Sequence, residues 1–372
     1  MERYRTCLVE ALHEVASEAW AFDVLKCDGS APWMRPLPSP LQSRLAGLKA
    51  RWRDYPRLAA ARPGSIHHVL DHSHAMLVGS LPPERTVVTC HDIIPLLAAR
   101  GELDVPIKPW IRTTFAMRLK AMRSAAMVIA DSEATRRDLV EKADFDPSKV
   151  TTVPLGIEPG FGPEPDGGLT REEEGRVLRR RWKLPEDAKI VLHVGTRNRY
   201  KNTPAVLRTF AAVARERDDV RLVRLGAGLF DDEDALASAL GICDRLVLDG
   251  DVDEGTLRAA YRAADVLVFP SLYEGFGWPP LEAMASGTPV VASNAGSLPE
   301  VIGDAGFLHD PGDVDGMART VSDLLSDPVK SRSASDAGMR RAAQFSWRRC
   351  ATRVVEVYEG VVARAEDGAA SR

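Results

Sequence analysis

No stretch of the 372-residue sequence approaches the ~20 consecutive apolar residues that a membrane-crossing helix requires. No secretory leader is visible either. Met1-Glu-Arg-Tyr-Arg runs into an amphipathic stretch rather than an apolar core with a small-residue cleavage site, so a cytoplasmic location is the expectation. The five cysteines, Cys7, Cys27, Cys90, Cys243 and Cys350, are odd in number, widely spread and never in C-x-x-C pairs, which reads as reduced thiols. A formal charge of -4 offers no electrostatic footprint for nucleic acid. Neither half carries a G-x-G-x-x-G loop with a later acid. Gly226-Ala-Gly228 is all that follows one candidate strand, which disfavours a dehydrogenase. There is no internal repeat, and the short charge runs Glu172–Glu174 and Arg179–Arg181 read as solvated helix faces.

The composition, 45% apolar and 27% charged, is that of a globular protein, and the length suits two domains. In the second half, apolar runs at Ile190–His193, Val220–Leu225, Arg245–Leu248, Asp265–Phe269, Pro289–Ala292 and Gly306–His309 alternate with helix-length segments. Such alternation predicts an α/β fold with a doubly wound parallel sheet. The first half repeats the pattern more weakly at Ile66–Leu70, Thr86–Thr89, Met127–Ala130 and Val150–Val153. Val153 to Gly168 holds four prolines and five glycines in sixteen residues, which places a boundary there.

Residues 271 to 282 read S-L-Y-E-G-F-G-W-P-P-L-E. An apolar strand precedes them and a helix-forming run follows. Pro280 suits the first helical position, so the N–H groups of the first turn would face Gly275-Phe276-Gly277 and attract a phosphate. Glu274 lies before the helix and Glu282 in its first turn, so both can converge on one ligand. An ionised carboxylate only accepts hydrogen bonds, and its natural ligand is a set of hydroxyls. A phosphate flanked by hydroxyls describes a nucleotide sugar; capping of an ordinary helix start is the plainer reading of a lone glutamate pair.

With these residues the chain resembles the large E-x7-E group of retaining glycosyltransferases, the group 1, family 4 type, almost continuously from Phe269 to Gly306. The resemblance implies a GT-B fold, two Rossmann-like doubly wound domains facing a cleft. It would divide the chain into an acceptor-side domain (1–155), a nucleotide-sugar domain (156–345) and a crossover helix and tail (346–372) opening at Phe345-Ser-Trp347. It implies that Glu274 lies by the donor sugar, that Glu282 binds ribose hydroxyls, and that Phe276 and Gly277 face the sugar and diphosphate. The reaction would be transfer of a hexosyl group, mannosyl or glucosyl being candidates, to a sugar or lipid-linked acceptor with retention, without cofactor or protein-bound metal. A sugar phosphorylase of the same fold and an inactive sugar-nucleotide-binding protein are the alternatives. The family usually opens with a strand and glycine-rich loop, whereas Met1-Glu-Arg-Tyr resembles the helix after them. Either the start lies upstream or Ala19–Leu25 supplies another edge strand.

Gly195-Thr-Arg-Asn-Arg-Tyr-Lys-Asn202 follows a strand and brings three cations to its carboxyl end, where open α/β sheets bind ligands. By resemblance Lys201 stabilises the leaving diphosphate. Tyr200 stands where the family has arginine, which leaves Arg199, placed ahead, or Arg197 to supply the guanidinium; each also reads as a surface charge. Gly195 forms the turn. His91, after the strand ending at Cys90, would by resemblance face the sugar, against a histidine merely satisfied at a strand end. His67, His68, Asp71, His72 and His74 invite a metal reading, which strand alternation opposes because His67 and His68 face opposite sides. Residues 109–126 place Arg112, Lys120 and Arg123 beside the stripe Ile111, Phe115, Leu119 and Met122. That pattern fits peripheral contact with an anionic membrane, and equally an ordinary helix burying its apolar stripe.

Overall fold

A computed structural model describes residues 2–25, 55–61, 64–165, 170–250 and 252–370. Cys27 and the end of the Val153–Gly168 stretch lie outside them. The chain forms two units, one of residues 1–100, 107–154 and 347–372, the other of 101–106 and 155–346.

In the first unit, β1 (His67–Val69), β2 (Thr86–Cys90), β3 (Met127–Ala130) and β4 (Val150–Thr152) form a parallel sheet in that order. All five residues of β2 and all four of β3 are buried. Strands covered on both faces need no polar alternation, which is why they read as unbroken apolar runs. Helix Glu2–Ala16 buries Tyr4, Leu8, Ala11 and Leu12, and the C-terminal helix Trp347–Ala370 packs against it. Tyr4 and Trp347 lie ring to ring at 5.8 Å. Ala19–Leu25 contains no strand.

The second unit holds β5 (Lys189–Val194), β6 (Val220–Leu225), β7 (Leu246–Asp249), β8 (Val266–Phe269), β9 (Val290–Ser293) and β10 (Phe307–His309). The sheet is parallel with order β10-β9-β8-β5-β6-β7. The strand order reverses between β5 and β8, the doubly wound switch point at which such sheets bind ligands. Val191, Leu222, Val266, Val268 and Val291 pack with Val206, Leu207 and Phe210 of helix Thr203–Glu216 and with Met317, Val321 and Leu324 of helix Val314–Ser326. Each strand found here matches an apolar run named above to within one or two residues, and the α/β expectation of parallel sheets holds.

One charge run is a solvated face only in part: Glu172 and Glu173 are exposed, but the third acid is not. Glu174, on helix Arg171–Arg181, is buried and binds the equally buried Arg262 through two hydrogen bonds of 2.7 Å. Among the described residues no helix is long and apolar enough to cross a membrane.

Candidate active site

At the switch point the loops after β5 and β8 are joined. The Leu272 N–H donates to the Tyr200 carbonyl at 2.7 Å, and the Asn202 amide donates to the Pro270 and Pro311 carbonyls at 3.0 Å. Asn202 takes a left-handed φ of 53°, which turns the chain into helix Thr203–Glu216. The turn brings Lys201 inward, where its Nζ donates to Glu274 Oε1 at 2.8 Å, with each side chain 10% exposed. Phe269 and Tyr200 rings lie 5.0 and 5.4 Å from that ammonium. A lysine and a carboxylate from the two strands flanking the switch point thus share one buried contact.

The Glu274–Gly277 loop is held from behind. Ser297 donates its backbone N–H to the Glu274 carbonyl at 3.2 Å, and its hydroxyl to the Glu274 and Phe276 carbonyls at 3.1 and 2.5 Å. Gly296, at φ +57°, lies so close that a Cβ would be 2.5 Å from the Glu274 carbonyl oxygen. The helix beyond begins earlier than Pro280: it spans Trp278–Ala285, with Gly277 as N-cap at φ 104°. Pro279 and Pro280 therefore occupy its second and third positions and carry no N–H. Of the first three helical residues Trp278 alone can donate to an anion, so the helix start contributes less than the sequence suggests. Glu282 is the fifth helical residue rather than a first-turn one. Its carboxylate, 2% exposed, accepts a 2.8 Å hydrogen bond from the Tyr261 hydroxyl.

Arg197 and Arg199 turn to a neighbouring loop instead. Their guanidinium carbons lie 4.5 and 3.9 Å from the Phe230 ring centroid. Arg199 makes two hydrogen bonds to Asp232, at 2.7 and 2.9 Å, and Arg197 reaches Asp231 at 3.9 Å. Gly226, at φ +104°, must be glycine, because a Cβ there would stand 2.3 Å from the Gly195 carbonyl oxygen; at Gly195 itself a Cβ would lie 3.3 Å from His193 Nε2. Phe276 is buried edge-on to Phe345, 5.9 Å between centroids.

In the first unit His91 bonds Asp131 Oδ2 through Nδ1 at 2.5 Å and the Leu70 carbonyl through Nε2 at 2.9 Å. A carbonyl only accepts, so Nε2 carries a proton. Burial would depress the imidazolium, but the charge and hydrogen bond of Asp131 outweigh it and raise the pKa to about 9. Both ring nitrogens are engaged, and a sugar hydroxyl would have to exchange for one of these partners. His68 bridges Tyr358 and Thr89 at 2.7 and 2.8 Å, while His72 Nδ1 accepts from the His91 N–H at 3.3 Å. No cluster of three metal-ligating side chains occurs among the described residues.

Sequence reasoning did not find Asp131, Tyr261 or Ser297. Asp131 offered a signal, an acid directly after an apolar strand just as His91 follows β2; the other two offered none.

The family described as glycosyl transferases group 1 matches residues 176–341, and glycosyltransferase family 4 matches 13–161. The chain is 33% identical over 349 residues to a D-inositol 3-phosphate glycosyltransferase of Thermobispora bispora, covering 88% of this chain and 77% of that protein. It is 34% identical over 265 residues to an MMP alpha-(1->4)-mannosyltransferase of Mycolicibacterium hassiacum, a match spanning 69% of this chain and 60% of that protein. In fold it is similar to Anabaena HepE, solved in complex with UDP-glucose, at a TM-score of 0.70 and 19% identity over 87% of this chain and 84% of that one.

Proposed function

The chain belongs to the group 1, family 4 glycosyltransferases, and on that premise we propose that it moves a hexosyl group, mannosyl or glucosyl, from a nucleoside-diphosphate sugar to an acceptor hydroxyl with retention. The observation that carries this reading is the buried Lys201–Glu274 contact at the switch point, with the buried Glu282 on the helix that follows. Lys201 stabilises the diphosphate as it leaves, and Glu274 holds the sugar beside it. Fixed charges in a water-poor site need no reorganisation as charge develops, so catalysis is positional and electrostatic. Glu282, oriented by Tyr261, accepts from the ribose hydroxyls. No resident metal or cofactor takes part in this scheme; transfer should persist in excess EDTA.

Thermal shifts with UDP-, GDP-, ADP- and dTDP-sugars on wild type and Glu282→Ala test the reading. One donor should raise the melting temperature of the wild type and not of the variant. Activity on glucose 1-phosphate without any nucleotide would replace the proposal by a phosphorylase, and donor binding without turnover by a binding protein. The anomeric configuration of the product, read by NMR, tests retention.

The acceptor in this scheme is a sugar or a lipid-linked sugar, reached at the inner face of the membrane. Helix Pro109–Arg123 buries Phe115, Leu119 and Met122, yet leaves Trp110 and Met117 61% and 40% exposed among Arg112 and Lys120, with no acid on the helix. That face suits an anionic bilayer. Cosedimentation with phosphatidylglycerol vesicles should be lost in Trp110→Ala/Arg112→Gln/Lys120→Gln; equal sedimentation would remove the membrane from the scheme.

A further inference from the structure

Beside the Lys201 contact lies a guanidinium that nothing above uses. Arg224 is the penultimate residue of β6 and 1% exposed, and Nε, Nη1 and Nη2 are all buried without a hydrogen-bond partner. Arginine cannot shed its proton to escape such a place, so the site holds a cation in need of an acceptor. Its partner across the ladder is His193 of β5, and paired residues of a parallel sheet present their side chains on one face. His193 donates through Nδ1 to the Val268 carbonyl at 3.0 Å, and its Nε2 is a second buried atom without a partner. That nitrogen points at the ligand loop, 3.3 Å from where a Cβ of Gly195 would stand. Burial and the Arg224 charge hold His193 neutral, its pKa lowered to about 3. Burial works against the Arg224 charge and lowers its pKa, while the Glu233 carboxylate favours the charge without hydrogen-bonding it.

Arg199 lies 3.8 Å from the Glu233 carboxylate, but its hydrogen bonds and the Arg197 contact go to exposed acids. The loop carrying Arg197 and Arg199 is fastened to the start of helix Asp231–Ala239 by the Phe230 ring and by Asp231 and Asp232, whose side chains are 108% and 63% exposed. Exposed pairs of this kind contribute little and are readily exchanged for a stronger anion. A diphosphate arriving at Lys201 would offer oxygens to the same two arginines and compete with the two aspartates for them.

We propose that Arg224 is a further binding residue for the diphosphate of the donor, engaged once the Arg197 and Arg199 ties open. The inference rests on the donor-site reading above and deepens it. It explains a buried guanidinium whose three nitrogens make no hydrogen bond, whereas the buried Arg262 makes two to Glu174.

The test is calorimetric titration of UDP and GDP, with uridine and guanosine as phosphate-free controls, into wild type, Arg224→Leu and Arg224→Gln. In both variants the diphosphate that binds wild type should lose at least tenfold in affinity, while a nucleoside that binds should bind unchanged. Both variants should fold, since the guanidinium they lack made no hydrogen bond. Unchanged diphosphate affinity in a folded variant overturns the proposal. So does failure of both variants to fold, which would mark the charge as structural. If wild type binds neither diphosphate, the donor-site reading itself falls.

Discussion

The Lys201–Glu274 contact can be separated into its structural and chemical parts by a double-mutant cycle. At 2.8 Å and 10% exposure on each side, the pair is largely withdrawn from water. Lys201→Met strands a buried carboxylate and Glu274→Leu strands a buried ammonium. Either single change should cost about 3–5 kcal/mol. At ~2–4 °C per kcal/mol for a unit of this size, that is a fall of roughly 6–20 °C in Tm. The double variant puts two apolar chains where two charges were, an exchange that is often neutral, and should recover most of that loss. Activity should not recover with it. Removing a group that stabilises developing charge costs on the order of 10²–10³ in kcat, so all three variants should be nearly inactive, the double one while folded. Melting curves and product formation under one set of conditions suffice. Wild-type turnover in the double variant would refute the chemical assignment, and single variants melting with wild type would refute the burial argument.

Three further outcomes are expected. Gly296→Ala forces a Cβ to within 2.5 Å of the Glu274 carbonyl at a left-handed φ, so the clamp on the donor loop must shift; turnover should fall at least tenfold, whereas Gly228→Ala, with nothing within 4 Å, should behave as wild type. Tyr261→Phe deletes a hydrogen bond to a buried carboxylate, worth about 1.5–3 kcal/mol, and should raise the KM for the donor at least tenfold but leave the KM for its 2′-deoxyribose analogue nearly unchanged. His91 has its pKa raised in the folded state to about 9, so its contribution to stability is complete below pH 6.5 and declines as pH rises toward 9. Denaturant titrations between pH 6 and 9.5 should show that decline in wild type and lose it in Asp131→Asn; the same slope in both would exclude the pair as its source.

Much of the fold was legible because a parallel sheet covered on both faces writes itself as apolar runs, and Val220–Leu225 and Asp265–Phe269 needed only that signal. Lys201 and Glu274 were legible as separate motifs, each at a strand end. Their contact spans 73 residues and follows only from the strand order, which no local pattern encodes. Tyr261 and Ser297 lie 21 and 23 residues from the glutamates they support and have no distinguishing neighbours. Arg224 did leave a trace, a charge in register with the apolar Val220 and Leu222 on one face of its strand, whereas Arg221 lies on the other. Pro279 and Pro280 were visible but misplaced by two positions, because Gly277, free to take φ 104°, starts the helix sooner than a proline rule would.

The first unit is discontinuous in the chain. Tyr4 meets Trp347 and His68 meets Tyr358, side chains encoded about 340 and 290 residues later. During synthesis the early sheet emerges with that flank bare, and its apolar surface stays open until the last helix leaves the ribosome. The second unit, made of 155–346 and the short earlier segment 101–106, is released in full before then and can reach its native state first. The usual amino-to-carboxyl order of domain maturation is thus reversed. The first half is most vulnerable to aggregation and to chaperone capture in that interval, and a stop codon shortly before Trp347 would leave a folded carboxyl unit joined to an unfinished partner.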